Sequence, residues 1–124
     1  VKGSPPTPAR LAAEKRGRQG ERLAGWWLRL KGWTILARRV RTRAGEIDLI
    51  ARRGKIVAFV EVKTRASEAL LDEAIDERRL ARVAAAAEAV AHNWLGPDDD
   101  MRIDVMLLAP GHRPRHLENV WHGG

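Results

Sequence analysis

The sequence predicts an α/β domain of the α+β kind, a mixed sheet flanked by helices, and three observations carry that prediction. Apolar residues recur at helical spacing twice, over residues 20–31 and again from residue 72 to about 93. Between these stretches lie short β-branched runs, Glu46-Ile47-Asp48-Leu49-Ile50 and Ile56-Val57-Ala58-Phe59-Val60 among them, broken by glycine and basic residues. Two more strand-like runs follow the second helix. The order helix, three strands, helix, two strands suits a layered domain with a mixed central sheet.

A chain of 124 residues suffices for one domain with a single modest core. Basic residues outnumber acidic ones, 23 to 16, for a formal net charge of +7 and a pI near 11.0. That balance favours polyanionic partners, nucleic acid first and an anionic membrane surface second. No apolar run approaches the roughly 18 residues of a membrane span and no signal-peptide pattern opens the sequence, so no membrane partner is expected. Cysteine is absent, which excludes disulfides and thiolate metal sites and fits a cytoplasmic protein.

Residues 1–8 contain Gly3, Pro5, Pro6 and Pro8 and read as a mobile tail before a single domain over 9–124. A helix begins at Ala9. In its firm part Leu23, Trp27 and Leu30 form one stripe, with Ala24 and Leu28 beside it, and Gly32 ends it. Arg10, Lys15, Arg16 and Arg18 make its first part basic and exposed. Glu21 borders the buried face, three residues before Ala24; on spacing alone it is an ordinary solvated glutamate. Residues 33–37 read as a first strand. Arg38, Arg39, Arg41 and Arg43 follow, in a loop that leads straight into the next strands, a position that favours contacts to backbone phosphates.

Two strands come next, 46–51 and 56–64, joined as a hairpin around Arg52, Arg53, Gly54 and Lys55. Their mark is the ionisable residues set among apolar ones: Asp48 in the first, Glu61 and Lys63 in the second. Buried charges are costly unless paired, hydrogen-bonded or holding a metal. Alternation puts Val57, Phe59, Glu61 and Lys63 on one face and Ala58, Val60 and Val62 on the other. A two- or four-residue loop sets Asp48 opposite Phe59, with Glu61 its diagonal neighbour at roughly 7–8 Å, close enough for two carboxylates to share a cation. An odd loop sends Asp48 to the opposite face. The plainer reading of the three residues is a structural salt bridge. Arg52, Arg53 and Lys55 suit a second phosphate contact or simple solubility.

A loop from Arg65 through about residue 71 leads to the second helix, 72–93. Asp72 and Glu73 at its start and His92 near its end complement the helix dipole. Leu80, Val83, Ala87, Val90 and Trp94 form its inward stripe, and the alanines at 84–87 permit close approach to a sheet. Arg79 stands at the edge of that stripe, within reach of phosphate or simply on the surface. Residues 96–100, with Asp98, Asp99 and Asp100, read as a solvated turn because no EF-hand spacing follows. Residues 101–108 make a strand, 109–114 a loop and 117–121 a last strand. The four histidines lack the helix-face spacing of a zinc site.

Asp48, a gap of twelve residues and Glu61-Val62-Lys63 resemble the D…(D/E)-x-K signature of PD-(D/E)XK nucleases. More closely, GEIDLI at 45–50 with FVEVKTR at 59–65 resembles the YraN family of predicted endonucleases, small bacterial proteins similar in fold to archaeal Holliday-junction resolvases. The resemblance covers about residues 17–105. It implies a restriction-endonuclease-like αβββαβ core, to which the C-terminal strand is an addition. It implies that Asp48, Glu61 and the main-chain carbonyl of Val62 hold Mg²⁺, with Mn²⁺ as a substitute, and that Lys63 is catalytic. Glu21, in GERLA at 20–24, matches a glutamate that approaches the metal through its water, and Arg79 stands where the family commonly has lysine. Arg102-Ile103-Asp104-Val105 resembles the family's R-F-D-V, which gives Asp104 a supporting role, either bracing the site or pairing with Arg102. Nucleic-acid contacts are expected from Arg38, Arg39, Arg41, Arg43, Arg65 and Arg79. The implied activity is hydrolysis of phosphodiester bonds in DNA, branched or otherwise structured DNA included, and a two-fold homodimer is a further expectation. The alternative is a non-catalytic DNA- or RNA-binding protein on the same scaffold.

Overall fold

In a computed structural model of the chain, residues 5–66 and 76–123 are described. The elements run α1 (Pro8–Leu30), β1 (Thr34–Arg41), β2 (Glu46–Arg53), β3 (Ile56–Thr64), α2 (Glu77–Trp94), β4 (Asp100–Leu108) and β5 (Arg115–Leu117). The strands form one five-stranded sheet in the order β1-β2-β3-β4-β5. Only β3 and β4 pair in parallel, and a parallel pair needs a crossover, here the segment containing α2. The fold is therefore mixed α+β, compatible with a PD-(D/E)XK-like core plus a last strand.

Thr7 opens α1 by accepting the Arg10 N–H at 3.1 Å, with Pro8 at the first helical position. The helix thus begins one residue before the composition suggests, and residues 1–4 of the expected tail lie outside the described residues. Gly20, Ala24, Gly25 and Leu28 are its buried residues. This corrects the expected stripe: Leu23 is 50% exposed and Leu30 78%, and only Trp27 of that set is half-buried. Close approach is the reason. Gly20 lies against Thr64 and Leu108, and Gly25 against the Arg38 guanidinium, so small residues face the sheet and the bulky ones turn outward.

Asp76 caps α2 by accepting the Arg78 N–H at 2.8 Å, which fixes the helix start at Glu77. The expected start with Asp72 and Glu73 lies outside the described residues. The expected inward stripe holds: Leu80, Val83 and Ala87 are buried with Ala84 and Ala86, and Val90 and Trp94 pack against them. The two helices cover opposite faces. α2 packs on Ile47, Ile50, Val57, Phe59 and Val105, whereas Ala24 and Leu28 of α1 pack on Leu49, Ala51, Ala58, Val60 and Met106.

Every expected strand bound but that of β3 changes: β2 runs on to Arg53, which takes Arg52 and Arg53 out of the turn, and β4 starts at Asp100. β1 continues to Arg41, so Arg38, Arg39 and Arg41 are strand residues and only Arg43 remains in the loop. β5 is the short run Arg115–Leu117 instead of 117–121. Arg52 also finds a structural use, because its guanidinium holds the Asp99 carboxylate at 3.0 and 2.7 Å and so ties β2 to the turn before β4. That pairing, with the Gly96 N–H, brings the Asp99 carboxyl down to about 2. Arg53 lies 4.6 Å over the Trp33 ring.

Candidate active site

The hairpin register decides where the carboxylates meet. Arg53 pairs with Ile56, so the turn is Gly54-Lys55, and Gly54 supplies the positive φ (+62°) that such a turn requires. The ladder continues to Leu49–Val60 with Phe59 opposite Ile50. One step further, Asp48 comes level with Glu61 and not opposite Phe59. Parity is even, as the expectation needed, but the register is two residues longer. Here the strands part, and the Val62 N–H donates to Oδ2 of Asp48 at 2.7 Å.

The alternation of β1 and β2 slips at the same level. Leu49 packs toward α1, but Ile47 and Ile50 both pack toward α2. Across the β1–β2 ladder, Arg39 sits between the pairs Arg38–Leu49 and Val40–Ile47 with a φ of +51°. A left-handed backbone at a non-glycine residue costs on the order of 1–3 kcal/mol and tends to persist where surrounding structure demands it. The Arg39 side chain then reaches α1, where its Nε donates to Oε1 of Glu21 at 2.7 Å.

A cavity of about 630 Å³ opens at this point, lined by Glu21, Asp48, Glu61, Lys63, Arg65 and Arg79, with Val62 in its wall. A smaller one of about 240 Å³ meets the same carboxylates from the α2 side, between Glu46, Arg79 and Arg82. Lys63 Nζ lies 2.7 Å from Oε1 of Glu61, both side chains being buried, and Arg79 approaches the same oxygen at 3.8 Å. Burial, then the neighbouring Glu61 charge, pushes the Asp48 carboxyl up to about 7 against the opposing Val62 hydrogen bond.

Seven expected site residues therefore share one cavity: Asp48, Glu61, Val62, Lys63, Glu21, Arg65 and Arg79. The arginines of β1 and its loop do not line it. Arg38 is against Gly25, Arg39 is engaged with Glu21, Arg41 pairs with Glu46 at 3.4 Å, and Arg43 is exposed. Asp104 also lies away from it, pairing with Arg102 at 2.8 Å. Sequence reading missed Arg16, which lines the larger cavity, and Arg82, which lines the smaller. Arg82 was accessible to it, since i and i+3 share a helix face and Arg79 was already a candidate.

Residues 20–108 match the family described as "Uncharacterised protein family UPF0102". The chain belongs to that family. It is 64% identical over 112 residues to a UPF0102 protein of Erythrobacter litoralis, a match covering 90% of this chain and 97% of that one. A UPF0102 protein of Rhizorhabdus wittichii is 62% identical over 114 residues, covering 92% and 97%. One from Mesorhizobium japonicum is 47% identical over 123 residues, covering 95% of each. The match to the UPF0102 family spans Glu21, Asp48, Glu61, Lys63 and Arg79 and begins after Arg16.

The donor set of this UPF0102 chain suits a hard cation. Val62 takes one oxygen of Asp48 and Lys63 with Arg79 take one oxygen of Glu61, which leaves Asp48 Oδ1 and Glu61 Oε2 without hydrogen bonds among the described residues. Among the described residues no three Asp, Glu or His side chains converge to cage an ion. Mg²⁺ does not require such a cage, because it is commonly held by one or two carboxylates with water and phosphate oxygens completing the shell. Among the described residues, no helix is long and apolar enough to cross a membrane.

Proposed function

We propose that this UPF0102 protein is a divalent-metal-dependent endonuclease that hydrolyses phosphodiester bonds in DNA, structured or branched DNA included. The observation that carries the reading is the meeting of Asp48, Glu61 and Lys63 in one cavity where β2 and β3 separate, with the Asp48 carboxyl pushed up to about 7. Asp48, Glu61 and the Val62 carbonyl would hold Mg²⁺, or Mn²⁺ in its place. The ion, when bound, polarises a phosphate and lowers the pKa of a water for in-line attack. Lys63, held in place by Glu61, offsets the negative charge that grows on the phosphate oxygens. Arg65, Arg79 and Arg16 bring cations to the cavity wall for the flanking phosphates. Glu21, anchored by Arg39, orders water on the α1 side.

The Lys63–Glu61 and Arg79–Glu61 contacts also suit a second reading, a binding protein whose carboxylates are neutralised internally and which turns nothing over. One panel separates the two. Branched, duplex and single-stranded DNA, and RNA, are incubated with Mg²⁺ or Mn²⁺ and scored for cleavage and for retardation. Metal-dependent cleavage of any DNA, lost in Asp48→Asn, supports the nuclease. Retardation without cleavage by any metal sinks it.

A further inference from the structure

The outer face of α1 carries large apolar side chains that the fold leaves exposed. Successive helix residues turn by 100°, which places Leu23, Trp26 and Leu30 on the side away from buried Ala24 and Leu28. Trp26 is 62% exposed. Lys15, Arg22 and Arg29 run beside them at seven-residue intervals, about 10.5 Å apart along the axis, and all three are exposed. The Arg29 guanidinium lies 5.4 Å from the Trp26 ring centroid. The two glutamates of α1 are committed elsewhere, Glu14 beside Arg10 and Glu21 on Arg39.

A second copy of the chain is a poor occupant for this face. With Leu11, 50% exposed further along the helix, four side chains still fall short of the roughly 800 Å² per partner that a stable interface needs, and pairing two such faces sets arginine against arginine. An unpaired nucleic-acid strand fits better, because any base can stack on an exposed indole while its phosphates follow a row of cations. We propose that the outer face of α1 binds single-stranded DNA, with Trp26 as the stacking platform and Arg22 and Arg29 as phosphate contacts.

The opposite side of the same helix presents Gly17 and Glu21 to the cavity, and Arg16, in line with Leu23, stands at the edge between the two. A helix is about 10–12 Å across. A flexible unpaired strand can pass over it into the cavity, whereas a duplex, stiff over about 150 base pairs, cannot curl around it. In its placement of a substrate this rests on the nuclease reading: the favoured DNA carries an unpaired strand next to the scissile phosphate. The binding itself does not depend on turnover.

Fluorescence anisotropy with a labelled single strand of about twenty nucleotides, and with its duplex, tests this in EDTA so that nothing is cut. Wild type is expected to bind the single strand, Trp26→Ala to weaken that binding about tenfold or more, and Trp26→Phe to retain most of it. Duplex binding should stay within about twofold in both variants, and Trp26, being exposed, can be replaced without disturbing the core. Replacing Arg22 and Arg29 by alanine should lower the log–log salt slope for the single strand by about 0.7 for each phosphate no longer neutralised. Absent single-strand binding in wild type, or unchanged affinity in Trp26→Ala, overturns the proposal. So does a concentration-dependent dimer in sedimentation velocity that Trp26→Ala dissolves, since the face would then belong to a second copy. Lack of cleavage on every substrate would sink the nuclease reading and leave the anisotropy result standing.

Discussion

The Val62 N–H donates to Oδ2 of Asp48 across 2.7 Å, so a side chain of β2 closes the ladder where its backbone leaves β3. A strand that diverges leaves an amide without its partner, and a buried unpaired amide is costly. Asp48 removes that cost and is thereby held beside Glu61 whether or not an ion is present. The same placement makes the ionised form of Asp48 unfavourable, through burial first and Glu61 second.

A cation at Asp48 should therefore displace a proton. With its carboxyl near 7, Asp48 is partly protonated at neutral pH, and Mn²⁺ added to weakly buffered protein at about pH 6.5 should release protons and raise Tm. Asp48→Asn should release none and gain little stability. Without metal the sign reverses. A raised carboxyl pKa stabilises the fold below the unfolded value of 3.8, and that stability is lost as pH rises through about 7. Metal-free Asp48→Asn should then exceed wild type by about 1–3 kcal/mol above pH 7 and show no such advantage below pH 4. An equal Mn²⁺ response in both proteins means the ion binds elsewhere.

Lys63 separates chemistry from binding. Its ammonium sits on Glu61 inside the cavity, while exposed arginines such as Arg43 lie outside it. Lys63→Ala should abolish metal-dependent cleavage and leave duplex retardation within about twofold. It should also cost about 1–3 kcal/mol, because Glu61 then keeps only the 3.8 Å contact with Arg79. Cleavage at the wild-type rate in this variant would show that the hairpin is not the reacting site.

How much of the fold and site is legible in the sequence differs from residue to residue. The hairpin is readable because β-branched runs and Gly54 mark it, and the shared cavity of Asp48, Glu61 and Lys63 follows from even parity. The register is not, since turns at 53–54 and at 54–55 have the same parity and only the second brings Asp48 level with Glu61. The α1 stripe misleads for a different reason. Hydropathy weights large residues, but a helix that crosses a sheet closely presents small ones, here Gly20 and Ala24. The pairing of Arg39 with Glu21, where the sequence suggests a phosphate contact, cannot be read, because a positive φ at a non-glycine residue has no signature in composition.

Arg41 and Arg43 test the approach path of the proposed DNA substrate. Both are exposed, and the 3.4 Å contact of Arg41 with Glu46 joins two exposed side chains, so replacing the two arginines by alanine should barely change stability. Duplex retardation should weaken, with the log–log salt slope falling by about 0.9 for each phosphate that an arginine no longer neutralises. An unchanged slope would move the path to the Arg79–Arg82 side of the cavities.

Gly20 sets the distance between α1 and the sheet. A Cβ there would collide with Oγ1 of Thr64 and touch Leu108 at 3.4 Å, and a β-branched threonine has little freedom to step aside. Alanine normally improves a helix interior by up to about 1 kcal/mol over glycine. Gly20→Ala should nonetheless destabilise by about 1–3 kcal/mol through overpacking. Adding Thr64→Ala should recover most of that loss, as neighbouring sites couple. A melting point at or above wild type for Gly20→Ala would mean that Glu21 is not positioned by this contact.

Asp104 should govern part of the acid limb of stability. It is fully buried in β4, where it accepts from Arg102 at 3.0 and 2.8 Å and from the Asn119 N–H at 2.9 Å, and lies 2.7 Å from Nε2 of His116. Burial alone would raise its pKa, but the hydrogen bonds with His116, Arg102 and Asn119 outweigh it and hold the carboxyl below the ordinary 3.8. A depressed carboxyl contributes stability above its unfolded pKa and loses it as pH falls through the folded one. The urea midpoint of wild type should then drop from about pH 4 downward. Asp104→Asn should be less stable by about 3–5 kcal/mol near neutrality, because half-buried Arg102 then keeps only the 3.5 Å contact with exposed Glu118. The gap between the two proteins should narrow as pH falls below 4. A gap that stays constant down to pH 2 would assign the acid limb to other carboxylates, the Arg52-bound Asp99 first among them.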